Sequence, residues 1–231
     1  RAQPAIGAGE RADRGEIVLG RFGAARADPR GGEQPGTRRR GIARDEIEQL
    51  FEIGGGGAHP GGIGIGAGGT GGPVAMSYLR LVDTANASTP VGLTLGPGWK
   101  SNGKLNGGLL APDPAKLGNL AIARATEDYF FIDGATGLTA TLNLNNLDPG
   151  KLYNLRFFGT RATSEIRKTN YTVAAGNGVF SSILQTSGSG LASGTGGNDS
   201  TTASFSGLQT DASGQVTLKV AIAEGGFAYP G

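Results

Sequence analysis

The stretch LTATLNLNNLDPGKLYNLRFFG, residues 138–159, decides the fold. Apolar and polar side chains alternate in its first half: Leu138, Ala140, Leu142 and Leu144 against Thr139, Thr141 and Asn143. A strand presents successive side chains to opposite faces, so this pattern predicts a strand with one buried face. The turn sequence DPG at 148–150 leads into a second alternating run, in which Tyr153, Leu155 and Phe157 share a face.

Further short apolar runs follow the same rule on either side of this hairpin. They lie at residues 79–82, 91–95, 129–132, 171–173, 179–184, 203–205 and 216–222. No run of helical period separates them, which favours an antiparallel β-sandwich over alternating strands and helices. We therefore predict an all-β fold over residues 74–231.

Residues 1–73 differ in composition from the rest of the chain. All their cations are arginine, and they hold a large part of the 44 glycines. Ile47, Leu50 and Phe51 have helical spacing, which predicts a short amphipathic helix within residues 43–53. The remainder shows no apolar period, so we expect a disordered, low-complexity Gly/Arg-rich leader over residues 1–73.

Charge and cysteine content exclude several classes of partner. The net charge of +2 is too small for an electrostatic nucleic-acid site, and no apolar run has the length of a membrane helix. The chain has no cysteine and therefore no disulfide or thiolate metal site. We predict neither a nucleic-acid nor a membrane partner.

Three segments together resemble a known type of module: LNLNNLDPGKLYNLRFFGTRA (142–162), YTVAAGNG (171–178) and GLQTDASGQVTLKVAIAEGGFAYPG (207–231). They are similar to the jelly-roll modules, related to galactose-binding-like domains, that stand beside SGNH-type esterases and polysaccharide-degrading enzymes in secreted bacterial proteins. The resemblance implies a non-catalytic carbohydrate-binding or accessory module of a larger protein. It also implies an extracellular or cell-surface location, a polysaccharide ligand and contacts with neighbouring domains of the parent protein.

The chain departs from such modules at both ends. From the resemblance we expect that their first strand, before the segment that begins at Leu81, and their last strand, beyond Tyr229, are missing or replaced. One explanation is that residues 1–73 are upstream DNA translated in a non-native reading frame; the alternative is a genuine low-complexity linker. A fibronectin-like structural or adhesive spacer is the alternative function, although immunoglobulin-like sandwiches have only about 100 residues.

Catalytic residues are scarce. The single histidine, His59, lies in a glycine-rich linker, and there is no cysteine nucleophile. Glu127 and Asp128 are adjacent, and neighbours in a strand point to opposite faces, which argues against a pair of glycosidase carboxylates. We predict that the chain is not an enzyme.

Five residues are candidates for ligand binding. Trp99 in a Gly/Asn-rich loop suits stacking on a sugar, with Asn102 and Asn106 as hydrogen-bond partners. Arg161 and Arg167 suit a carboxylate or sugar hydroxyls. The alternative is structural: Trp99 covers one end of the core, and the arginines form ion pairs with Asp128, Asp133 or Glu165.

We predict no cofactor and no metal site. A structural Ca²⁺ held by Asp83, Asp128 or Asp133 is the alternative, because carboxylates are the oxygen ligands that Ca²⁺ prefers.

Overall fold

The structure is a computed structural model that describes residues 14–22, 48–54, 79–82, 88–102, 107–121, 126, 129–191 and 193–230. The strands in this part of the chain are β1 (Arg14–Phe22), β2 (Glu48–Gly54), β3 (Leu79–Val82), β4 (Ser88–Leu95), β5 (Lys100–Asn102), β6 (Tyr129–Asp133), β7 (Thr139–Asn145), β8 (Leu152–Phe157), β9 (Arg167–Ala175), β10 (Gly178–Ser187), β11 (Ala203–Leu208), β12 (Val216–Glu224) and β13 (Phe227–Ala228). One short helix, α1 (Pro114–Leu117), is followed by the 3₁₀ turn Gly118–Leu120. The fold is all-β, as predicted.

Ten strands form one sheet in the order β10-β9-β12-β7-β4-β3-β2-β1-β8-β11, and a smaller sheet has the order β13-β6-β5. The two ends of the large sheet face each other across the core. The ring of Phe157 from β8 stacks on that of Tyr171 from β9, with centroids 5.2 Å apart. The result is a sandwich-like fold.

Alternation of side chains explains which face of each strand is buried. In β7, Ala140, Leu142 and Leu144 are buried while the residues between them are at least partly exposed. β8, β9 and β12 show the same pattern of period two. These inward residues share one core cluster, so the predicted half-buried strands within 138–159 and at 216–222 are confirmed. The exception is Leu138, which was predicted on the buried face but precedes β7 and is 47% exposed.

The strand β6 is buried on both faces. Phe130 and Ile132 belong to the main core, whereas Tyr129 and Phe131 belong to a second, aromatic cluster with Tyr229. β6 therefore separates the main core from this aromatic cluster, which explains why its sequence is a continuous apolar run.

The first two strands correct the sequence-based prediction for parts of residues 1–73. β1 and β2 occupy positions in the large sheet, and β2 stands where the helix within 43–53 was predicted. A short apolar run fits either period, and pairing with neighbouring strands decides between them. The rest of the predicted leader, including the glycine-rich linker with His59, lies outside the described residues.

The direction of β1 is a second correction. β1 runs parallel to both β2 and β8, whereas the other paired strands are antiparallel. Parallel neighbours need a crossover connection, and the segment 23–47 between β1 and β2 has the length for one. The sandwich is therefore mainly, and not wholly, antiparallel.

Candidate functional site

Trp99 lies in the main core and not on the surface. Its side chain is 0% exposed, and its Nε1 donates to the backbone oxygen of Thr141 at 2.8 Å. Gly98, with φ of +95°, supplies the left-handed backbone conformation of the turn immediately before it. Stacking on a sugar requires a free ring face, so the structure corrects the ligand-binding prediction for Trp99 and gives it the alternative role in the core.

The structure says less about Asn102 and Asn106, the two asparagines predicted to bind a ligand. Asn102 is the last residue of β5, where it lies opposite Tyr129 of β6 in the antiparallel register. Asn106 lies outside the described residues. Their predicted hydrogen bonds to a ligand remain predictions.

Arg167 is held at the rim of the aromatic cluster, which consists of Tyr129, Phe131, Phe227 and Tyr229. Its guanidinium carbon lies 4.0 Å from the centroid of the Phe227 ring, a cation–π contact. Nε donates to Glu165 Oε2 at 2.8 Å, and Nη1 donates to the hydroxyl of Tyr229. The predicted ion pair between Arg167 and Glu165 is confirmed.

Arg161 approaches the same cluster from a second direction. Its Nη1 donates to the hydroxyl of Tyr129 at 2.6 Å, and the rings of Tyr129 and Tyr229 meet edge to face at 5.1 Å. The structure thus brings both predicted arginines onto one pair of tyrosines. Arg161 binds the loop after β8 to β6, and Arg167 binds β9 to the C-terminal segment, residues 227–230. The contact of Tyr129 with Tyr229 joins that segment to β6.

Burial changes the proton affinity of the tyrosines at this end of the molecule. It raises the pKa of Tyr229 to about 12, although the nearby guanidinium of Arg167 acts in the opposite direction. Burial also raises the pKa of Tyr171, whose hydroxyl donates to the backbone oxygen of Tyr229. Both phenols are therefore neutral at physiological pH, where Tyr171 donates to the backbone and Tyr229 accepts from Arg167.

The metal hypothesis finds no assembled ligand set in the described part of the chain. The carboxylate of Asp133 accepts from Lys100 Nζ at 2.6 Å, and Asp83 and Asp128 lie outside that part. Among the described residues no three His, Cys, Asp or Glu side chains lie close enough together to hold a metal ion. The structural Ca²⁺ stays a prediction.

Sequence reasoning missed a second surface, on the outer side of the large sheet. It spans the strands β10, β9, β12, β7 and β4, whose inward residues fill the core. Most of its outward residues are neutral hydroxyl and amide side chains, and the edge strand β10 adds the exposed apolar residues Val179 and Ile183. We call this surface the polar face, formed by Thr94, Thr141, Asn143, Asn170, Thr172, Ser181, Thr217 and Lys219.

Hydrogen bonds between neighbouring strands orient the side chains of the polar face. Thr217 Oγ1 donates to Asn143 Oδ1 at 2.7 Å, and Ser181 Oγ donates to Asn170 Oδ1 at 2.7 Å. In both asparagines the bond occupies an oxygen, so the amide nitrogen is turned toward other acceptors. The face therefore presents fixed amide donors beside hydroxyl groups.

Lys219 supplies the charge at the centre of the polar face. In the sheet register it lies between Thr141 of β7 and Thr172 of β9, and it is exposed. The sequence contained a sign of this surface, since Thr139, Thr141 and Asn143 alternate with the core residues of β7. Which strands stand beside β7 could not be read from that pattern.

No helix in the described part of the chain is long and apolar enough to cross a membrane.

Comparison with protein-family models and with curated proteins finds no match for this chain. Among solved structures, the carbohydrate-binding module TmCBM61 in complex with beta-1,4-galactotriose matches with 12% sequence identity and a TM-score of 0.30. The match covers 61% of this chain and 83% of that chain.

Proposed function

We propose that the chain is a jelly-roll-like, non-catalytic glycan-binding module of a larger secreted bacterial protein, and that it binds polysaccharide on the polar face. The observation that supports this is the chemistry of the face. Solvated surfaces are normally rich in charged side chains. On this side of the five strands the charges within the described residues are Lys219, near the centre, and the ion pair of Lys168 with Glu224 at one end.

Sugar hydroxyls both donate and accept hydrogen bonds, and oriented amides and hydroxyls complement them. Asn143 and Asn170 stand on β7 and β9, on either side of the strand that bears Lys219. Neighbouring strands are about 4.8 Å apart, so these three strands span a width comparable to two sugar rings. An open face of this kind suits binding along the middle of an extended polysaccharide better than binding at its end.

Retention on insoluble polysaccharides tests the proposal. The full chain is incubated with β-1,4-galactan, xylan or cellulose, and the bound fraction is measured against protein concentration. Asn143→Ala combined with Asn170→Ala removes two hydrogen bonds of about 1 kcal/mol each, so we expect affinity to fall by roughly tenfold or more. The matched control is Ser204→Ala with Ser206→Ala, two exposed positions on β11.

A structural spacer is the second candidate, favoured by the burial of the aromatic residues. Trp99 and the rings of β6, β8 and β9 are buried. If the folded wild-type chain is not retained on any of the polysaccharides, the glycan-binding proposal is rejected in favour of the spacer. Equal retention of the asparagine variant would place binding on another surface.

A further inference from the structure

The strand β10 forms one edge of the large sheet. β9 pairs with one side of β10, and within the described residues no strand pairs with its other side. Near the end of β10, the backbone oxygen of Thr186 accepts from the amides of Arg161 and Asn198, each at 3.1 Å. These loops cover the C-terminal end of the strand, so the open edge runs over residues 178–184.

The open edge is apolar and uncharged. The sequence of β10 is GVFSSILQTS, without a charged residue or proline. Val179 is 71% exposed and Ile183 is 62% exposed. Natural edge strands usually carry lysine, proline or an inward charge that blocks pairing with another chain. This half of β10 has no such protection.

We propose that β10 pairs in the antiparallel direction with β10 of a second copy of this chain. A twofold axis at Ser181 sets Val179 of each copy opposite Ile183 of the other, because residues in an antiparallel pair are related by a constant sum of their numbers. Each interface then holds two contacts between β-branched side chains, which stabilise cross-strand pairs. The inference does not depend on the proposed glycan binding.

Self-pairing is the arrangement that the strand itself favours. The two most exposed apolar residues, Val179 and Ile183, are symmetric about Ser181, so one strand supplies both halves of that contact. The absence of charge from β10 removes repulsion between two copies and offers nothing to a partner of opposite charge. A single strand pair buries less than the roughly 1,000 Å² of a stable interface, so we expect a weak dimer in exchange with monomer.

Sedimentation velocity of the full chain tests the dimer. Between about 10 µM and about 1 mM, we expect the weight-average mass to rise from the 23.3 kDa monomer toward twice that value. Val179→Lys with Ile183→Lys sets lysines opposite each other, and we expect dimerisation at least tenfold weaker. Val179→Lys with Ile183→Glu sets opposite charges together, and we expect it to recover.

Ser204→Lys, on the exposed side of the other edge strand β11, is the matched control and keeps the wild-type dimer. Circular dichroism establishes that each variant retains its β structure. A wild-type chain that stays monomeric to about 1 mM overturns the inference, as does a dimer that the two lysines leave unchanged. Failure of the lysine–glutamate variant to recover overturns the proposed register.

Discussion

Trp99 occupies its place in the core through both its ring and its one polar atom. The indole packs in the main cluster, and its N–H bonds to the Thr141 backbone, 42 residues away in sequence. Buried tryptophans usually find such a partner, because an unpaired N–H in the core is unfavourable. The residue therefore links the loop after β4 to the central strand β7.

Truncation of Trp99 should destabilise the fold without affecting a ligand site. We expect Trp99→Ala to lower the free energy of unfolding by about 3–5 kcal/mol, and Trp99→Phe to lower it less. Urea denaturation followed by circular dichroism measures both. Polysaccharide retention of folded Trp99→Phe should equal that of the wild type. If Trp99→Ala unfolded at the same urea concentration as the wild type, the position of Trp99 in the core would be contradicted.

The arginines are a second example of a contact between residues that lie far apart in the sequence. Arg167 and Tyr229 are 62 residues apart in sequence, yet their side chains are hydrogen-bonded. The sequence predicted an ion pair with Asp128, Asp133 or Glu165, and Arg167 forms it with Glu165, two residues away. The aromatic partners come from β6 and the C-terminal segment, which only the folded sheet brings together.

At the scale of the elements, the C-terminal segment is held by close contacts with β9 and with the chain just after β8. Tyr229 N donates to Thr169 Oγ1 at 2.9 Å. A Cβ placed on Gly159 would lie 2.5 Å from the backbone oxygen of Tyr229 and 3.0 Å from the Tyr171 hydroxyl. Only glycine allows the chain after β8 to approach this segment so closely.

We expect Gly159→Ala to lower the free energy of unfolding by about 1–3 kcal/mol, because the added methyl must displace backbone in a packed region. The matched control is Gly150→Ala in the exposed turn before β8, where the nearest atom to the Cβ is a side-chain oxygen of Asp148 at 3.3 Å. It should change stability by less than about 0.5 kcal/mol. Equal urea midpoints for the two variants would show that the C-terminal segment is not packed as described.

Local periodicity explains which elements the sequence could predict. β7, β8 and β12 alternate because each has one face in the core, and alternation is visible within a single segment. β2 was misread because its apolar residues fit two periods. The polar face was missed for a different reason: its members lie on strands whose spatial order, β10-β9-β12-β7-β4, is not their order in sequence.

At the scale of the whole molecule, the buried tyrosines make stability depend on alkaline pH. Burial raises the pKa of Tyr229 to about 12 from its ordinary value of 10.0. Between these values the unfolded chain releases the phenolic proton while the folded chain retains it. The folded state then binds more protons than the unfolded state, so the free energy of unfolding falls as pH rises from about 10 to about 12.

One such group contributes a slope of at most about 1.4 kcal/mol per pH unit. Urea midpoints of wild type and Tyr229→Phe at several pH values between 9 and 11.5 isolate this contribution, because lysines titrate alike in both. We expect the variant to be less stable at pH 9, since Arg167 loses its phenolic partner, but to have a shallower alkaline slope. Tyr171, whose pKa burial also raises, contributes to the slope that remains. Parallel curves for the two proteins would mean that Tyr229 is accessible to water in the folded state.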